Sequence, residues 1–465
     1  MKKLYFLTGT QPLYGPETLQ EVADQSLEMV QYLNSKTCDE VEIVHVKPVA
    51  DPDSIYKAIR QAEDDEDCIG TITWMHTFSP AKMWIKGLKI LRKPMLHLHT
   101  QFHESLPFDT IDMDYMNLNQ SAHGDREFGF ICTRLGVKRE TVVGYYKSER
   151  VINKINKFMD VARGVAFSNN LSVAMFGNNM REVAVTGGDR LESQIQFGWR
   201  VNYYAIGDLT TIMEELTEEE IKNKISEYQE KYIVPEDTMP QVYEDARFEA
   251  AMDKFLEQED VGAFTDTFQD LYGLKQLPGL AAQNLMDKGV GFGPEGDFKS
   301  AALGAVLYEI ARLRDGGTGF MEDYTYDLNE GKEFVMGSHM LEVPPAFASD
   351  KPVVEVHPLG IGGKADPARL KFKPVEGDAL QICLIDLGDR FRLIAAEVEL
   401  INPHKETPKL PVASLYWKIK PDFETGVKAW LEAGAGHHSV LTTALDLDDI
   451  RSFAKFTNTE LIEIY

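Results

Sequence analysis

Residues Gly289–Gly317 read GVGFGPEGDFKSAALGAVLYEIARLRDGG. A glycine-rich turn runs here into an apolar helix. Ala302, Val306, Ile310 and Leu313 recur at helical spacing, and Gly316-Gly317 supply a stop. Glu295 stands where turn becomes helix, and a helix N-terminus stabilises negative charge, so this carboxylate is expected to be ionised at neutral pH. Three readings compete. Glu295 and Asp297 are first-turn acids favouring the dipole. Or Gly291, Gly293 and Gly296 spell the G-x-G-x-x-G of a nucleotide loop, which needs a strand before it, whereas LAAQNLMDKG reads as helix. Or Glu295 is a metal or catalytic carboxylate, which requires partners elsewhere in the chain.

Outward from this stretch the chain changes character. Upstream, residues 1–150 alternate strands and helices: a strand at Leu4–Thr8, then a helix from Pro16 with Leu19, Val22, Ala23, Leu27, Val30 and Leu33 on one face. A strand at Val41–Val46 and a helix at Asp51–Asp64, capped by its aspartate, come next. Ile69–Met75, Lys82–Leu91 and Met95–His99 repeat the order, a doubly wound α/β pattern. A second α/β unit starts near Leu171, with a strand at Ser172–Phe176 and a polar loop, GNNMREVAVTGGD, that contains a strand. Pro235–Gln241 reads as an internal linker, and helices follow at Ala246–Gln258 and Pro278–Lys288. Beyond Thr318, alternating apolar and polar positions predict an antiparallel sheet or barrel. LIDLGDRFRLIAA is its hairpin, and helices near Gly426–Ala433 and Asp448–Phe456 end it.

The 465 residues are enough for several domains with large cores, and the apolar content of 43% is that of a soluble globular protein. A net charge of −26 argues against nucleic acid and acidic membrane surfaces as partners. Four scattered cysteines without C-x-x-C predict reduced thiols in a cytoplasmic protein. The apolar run in MKKLYFLTGT is too short for a signal peptide, and no segment approaches a membrane span.

Partners for Glu295 are sought among the other acids and histidines. FMEDYTY places Glu322 and Asp323 among aromatics, either an acidic turn beside an aromatic core or a water-excluding site. Gly337-Ser338-His339-Met340 follows closely, and GAGHHS carries His437 and His438 in a glycine-rich loop. Adjacent side chains of an extended chain point apart, so at most one of that pair is expected to face a common site. Two glutamates with one or two histidines suit a divalent ion such as manganese better than zinc. The rival is His97-x-His99 with His103 downstream. Two histidines two apart on a strand share a face as a zinc site requires, or they pack a sheet end.

Longer motifs now carry a resemblance. GPETL, HTFSPAKMW, DYMNLNQSAHGDREFGF, FGNNMREVAVTGGD, LKQLPGL, EGDFKSAAL, FMEDYTYD, GSHMLEV, LGIGGKADPARL and GHHS are similar to those of the L-arabinose isomerase family, over nearly the whole chain. Departures are few. Pro344-Pro345 stands where many members have Cys-Pro, Asp327 stands where many have histidine, and the sequence stops at Tyr465, short of a C-terminal tail that many members carry.

The resemblance implies two Rossmann-like doubly wound α/β domains, residues 1–170 and 171–317, then a C-terminal antiparallel β-barrel domain, residues 318–465. It implies a manganese cofactor, with cobalt or magnesium as possible substitutes, held by Glu295, Glu322, His339 and His438. The same resemblance removes His97, His99 and His103 from the metal list. Its substrate-pocket positions fall on Gln11, Leu13, His123, Met180, Phe268 and Ile361, with Gln11, Leu13 and His123 serving a neighbouring subunit in a homohexamer built from trimers. The expected reaction is the aldose–ketose isomerisation of L-arabinose to L-ribulose, with D-galactose to D-tagatose as a side reaction. It passes through a cis-enediol, with Glu295 and Glu322 as the proton-transferring pair. A closing two-lobed sugar-binding protein is the reading from another class, but it leaves the C-terminal sheet and the His-His loop unexplained.

Overall fold

Strand β1 (Lys2–Gly9) is buried from Leu4 to its end, as a central strand covered on both faces must be. It lies between β2 (Val41–His45) and β3 (Cys68–Met75), and β4 (Met95–His99) and β5 (Glu140–Val143) extend the sheet in the order β2-β1-β3-β4-β5, every pairing parallel. The structure, a computed structural model, describes residues 1–360, 362–403 and 407–465. It divides into two compact units, Met1–Ala166 and Phe167–Tyr465.

In the first unit the helix after β1 spans Gly15–Asn34. Its buried face is Val22, Gln25, Ser26, Met29, Val30 and Leu33, whereas Leu27 is exposed. The face is shifted because Ser26 bonds the Thr8 hydroxyl at 2.7 Å, turning a polar position inward. The helix Pro52–Asp64 is capped as expected: the Asp51 carboxylate accepts from the Asp53 and Ser54 amides.

The second unit holds a parallel sheet of β6 (Ser172–Phe176), β7 (Arg200–Tyr204), β8 (Ala263–Asp266) and β9 (Gly291–Gly293), in the order β7-β6-β8-β9. The loop after β6 contains a single 3₁₀ turn, Ala184–Thr186, in place of the expected strand, because its backbone serves as acceptors for Lys299 and Asn179. Nor is Pro235–Gln241 a linker. It makes a 3₁₀ turn that feeds the long helix Met239–Glu259 directly.

The remaining strands are β10 (Thr318–Asp327), β11 (Phe334–Ser338), β12 (Val353–Val356), β13 (Ala368–Lys371), β14 (Gly377–Asp386), β15 (Phe391–Leu400), β16 (Leu415–Ile419), β17 (His438–Thr442) and β18 (Glu460–Ile464). Strands β12 and β13 form a separate hairpin pair, and the others make one sheet in the order β14-β17-β10-β11-β16-β15-β18, with β14 also paired to β15. The sheet is mixed and not wholly antiparallel: β18 runs parallel to β15, taking the end of that edge which β16 leaves free.

The helix of the opening stretch spans Phe298–Ala311, stopping short of Leu313 and Gly316. It packs against β8 and β9 on one side and β10, β14 and β17 on the other. Contact on both sides explains why it is apolar all round. Two hydrophobic cores meet along β10: Phe320 belongs to that of the parallel sheet, and Met321, on the opposite face, to that of the mixed sheet. Among the described residues no helix is long and apolar enough to cross a membrane.

Candidate metal centre

Strand register assembles most of the site. Glu322 on β10 lies opposite Ser338 at the end of β11 and opposite His438 at the start of β17. His339 follows Ser338, so three suspected ligands meet where the ends of β11 and β17 flank the middle of β10. The Phe320 ring stands edge-on to both imidazoles, with centroids 5.2 Å from His339 and 5.3 Å from His438, and so limits their rotation.

Glu295 arrives from the parallel sheet. It sits in the 3₁₀ turn Pro294–Gly296 after β9 with φ +62°, a left-handed conformation that costs a side-chain-bearing residue roughly 1–2 kcal/mol. The turn is pinned by the Met180 amide, which donates to the Glu295 carbonyl at 2.8 Å, and by Asn179 Nδ2, which donates to the Gly296 carbonyl at 2.9 Å. A side chain at Gly296 would meet the Asn178-Asn179 backbone, so only glycine fits. The helix cap is Asp297, not Glu295, and two of the three glycines of G-x-G-x-x-G lie inside β9. The helix Gly279–Asp287, not a strand, leads into those glycines, and the nucleotide-loop reading loses its requirement.

Glu295, His339 and His438 each offer a ligand atom, all within 4.8 Å of one another. Glu322 Oε2 lies 3.8 Å from His339 Nε2, and Glu295 Oε2 lies 3.9 Å from His438 Nε2. The Nδ1–H of His339 donates to Glu342 at 2.5 Å, and that of His438 donates to Asp297 at 3.1 Å. Each carboxylate fixes the tautomer and leaves the Nε2 lone pair facing the cluster. The His438 Nε2 is buried and without a hydrogen-bond partner. Imidazole held by a carboxylate, with an orphaned Nε2 beside a glutamate, is the arrangement of a divalent metal site. Asp297 is in turn neutralised by the buried Lys299, whose Nζ donates to it at 2.8 Å and to the Val185, Thr186 and Gly187 carbonyls.

The two glutamates sit in different fields. Pairing with His437 leads the effects that hold Glu295 below the usual carboxylate range, against burial. Burial dominates at Glu322 and raises it. Burial pushes Asp297 up, but Lys299 and His438 outweigh it and hold it well below the ordinary value. His437, expected to point away, also reaches Glu295 at 3.7 Å, because it precedes the first strand residue and the alternation of side chains has not begun.

A cavity of about 240 Å³ adjoins this centre, lined among others by Glu295, His339, Met180 and Phe268. Asp266 and Glu342 also line it, and neither was singled out by the sequence. Asp266 stands at the carboxyl end of β8, where ligands of a parallel sheet collect. A larger cleft of about 500 Å³, beside Lys371, Lys373 and Tyr416, is lined by none of the candidate residues. Ile361 lies outside the described residues.

Gln11, Leu13 and His123 belong to the first unit. Gln11 Nε2 donates to the Phe78 carbonyl at 2.9 Å, and the Phe78 ring stacks on His123 at 4.6 Å. Leu13 is 80% exposed on its turn. His97 and His99 both donate to Asp125, at 2.7 and 2.5 Å, which turns those ring nitrogens away from any ion.

The chain matches three family models: the L-arabinose isomerase N-terminal domain over residues 1–170, the central domain over 172–312, and the C-terminal domain over 317–460. L-arabinose isomerases of Halalkalibacterium halodurans and Geobacillus stearothermophilus are each 49% identical to it, covering 99% of this chain and 93% and 94% of theirs. That of Oceanobacillus iheyensis is 48% identical over 100% of this chain and 98% of its own. A crystal structure of a periplasmic binding protein type 1 from Bordetella pertussis Tohama I matches 70% of this chain and 69% of that one at 16% identity, with a TM-score of 0.17, a likeness from which nothing follows. With three models of one family covering nearly all of the chain and relatives aligned over 99% of it, the chain belongs to the L-arabinose isomerase family.

Proposed function

We infer that this chain isomerises L-arabinose to L-ribulose, with a divalent metal held by Glu295, Glu322, His339 and His438. The observation that carries the metal reading is the convergence of Glu295 with two histidines whose Nδ1 atoms are tied to Glu342 and Asp297. A bound manganese ion, or cobalt or magnesium in its place, acts as Lewis acid and template toward the carbonyl and hydroxyl oxygens.

The chain's own groups move the protons. In the open-chain aldose, the Glu295 carboxylate takes the proton from C2 while protonated Glu322 gives one to O1, forming a cis-enediol. Glu322 then takes the O2 proton as Glu295 delivers its own to C1, and both carboxyls return to their starting states. Glu295 lines the cavity beside Met180 and Phe268, which suits contact with a carbon-bound proton. Met180, Phe268 and Ile361 serve as substrate wall. D-galactose, one carbon longer, is a further substrate, converted to D-tagatose.

Gln11, Leu13 and His123 complete the site of another copy in a homohexamer built from trimers. The chain is read as Rossmann-like domains at residues 1–170 and 171–317 and a barrel domain at 318–465. The barrel is supported by the β14–β15 pairing, which returns the sheet to its first strand. Free cysteines support the cytoplasm as its location. The test is ketose formation over a panel of pentoses and hexoses, with and without manganese. L-arabinose is expected to be turned over only with the metal, and a panel with no ketose product contradicts the reading.

A further inference from the structure

Asp266 ends β8, a strand flanked on both sides in the parallel sheet, and the carboxyl ends of such strands are where ligands collect. It is only 8% exposed, yet it lines the cavity beside the metal centre. No donor among the described residues reaches its carboxyl. Burial, aided by Glu342, pushes it up to about 7. A buried carboxyl without a partner is costly, and a structural aspartate caps an amide or meets a cation.

The other polar groups of this lining are accounted for. Glu295 and His339 belong to the metal cluster. Glu342 accepts from His339 Nδ1 at 2.5 Å and from the Leu341 amide at 3.2 Å. Met180, Phe268, Leu271 and Leu277 supply apolar wall. An aldopentose whose first two oxygens lie at the metal centre brings its remaining hydroxyls against that wall, and one unpaired acceptor waits there.

We propose that Asp266 is a specificity-determining residue that accepts a hydrogen bond from a substrate hydroxyl on C3, C4 or C5. The inference rests on the sugar-isomerase reading above. A site built to bond a hydroxyl discriminates against the analogue that lacks it, because the protein group is then left unpaired.

The test compares kcat/KM of the manganese-loaded enzyme and of Asp266→Ala on L-arabinose and its 3-, 4- and 5-deoxy analogues. Manganese affinity and far-ultraviolet circular dichroism of both proteins report that the centre and the fold persist. The Ki of L-arabitol, which binds without reacting, is measured alongside. Unsubstituted enzyme should lose roughly 10- to 100-fold on one deoxy analogue. Asp266→Ala should lose as much on L-arabinose, weaken L-arabitol likewise, and no longer penalise that analogue. Unchanged kcat/KM in Asp266→Ala, or an equal loss on all four sugars, overturns the role of Asp266. If unsubstituted enzyme forms no ketose from L-arabinose, the isomerase reading itself fails, and this inference with it. Should Asp266→Ala fail to fold, Asp266→Asn is taken through the same comparison: loss of discrimination against that analogue supports the role, and unchanged kcat/KM or a uniform loss overturns it.

Discussion

His438 Nδ1 and Asp297 Oδ2 lie 3.1 Å apart, both residues almost fully buried, and one begins a strand of the mixed sheet while the other caps the helix between the sheets. The bond joins the two halves of the candidate metal centre. It also sets which imidazole nitrogen stays free. Removing the carboxylate in Asp297→Ala frees the ring and leaves Lys299 buried without a counter-charge. Manganese affinity should fall roughly 10- to 100-fold, and stability by about 3–5 kcal/mol. A manganese titration with unchanged affinity contradicts the assigned role.

Glu295→Gln and Glu322→Gln keep side-chain size but cannot exchange a proton. Each should lower kcat by roughly 100- to 10,000-fold, with a smaller effect on KM. His97→Asn should cost little turnover per folded chain, since His97 is held by Asp125. Steady-state kinetics of the three variants decide. A metal-restorable defect in His97→Asn beside near-normal Glu295→Gln reverses the assignment.

His76 is stacked on Trp74 and buried, and burial lowers it from 6.5 to about 3. Its folded pKa lies below its unfolded one, so between these values the unfolded chain binds a proton that the native chain does not. Its contribution is intact above pH 6.5 and falls by about 1.4 kcal/mol per pH unit below it. Denaturation from pH 6.5 to 5 should show a shallower pH dependence in His76→Gln. Parallel curves for the two proteins contradict a neutral, buried His76.

If Gln11 and His123 serve another copy, two inactive variants should complement each other. Glu295→Ala breaks the metal half and His123→Ala the neighbour's half, so hybrid oligomers contain some intact pairs. Co-expression should restore activity that neither variant shows alone. Co-purified hybrids no more active than their parents place His123 with its own subunit or with no site.

The sequence showed the elements with strong local signals. Asp51 caps its helix through a side-chain bond to nearby amides, and Met95–His99 is a strand with the predicted bounds. Long-range register was not legible. Nothing local sets Glu322 opposite His438, and of the two readings of FMEDYTY the acidic turn does not hold, because the chain is an extended strand there. The left-handed turn at Glu295 escaped notice because it is imposed by Asn179 and Met180, far upstream. Asp266 was hidden for the opposite reason: it makes no bond that a pattern could mark, and only the cavity reveals it.

The proposed function requires that Glu295, Glu322, His339 and His438 hold a divalent metal that supports the isomerisation. The direct measurement is L-ribulose formation by exhaustively chelated protein, before and after manganese is returned. Chelated protein should keep its far-ultraviolet circular dichroism, lose some thermal stability because bound ligand favours the native state, and form no ketose until the ion is restored. Full activity in protein shown by elemental analysis to be free of metal contradicts it.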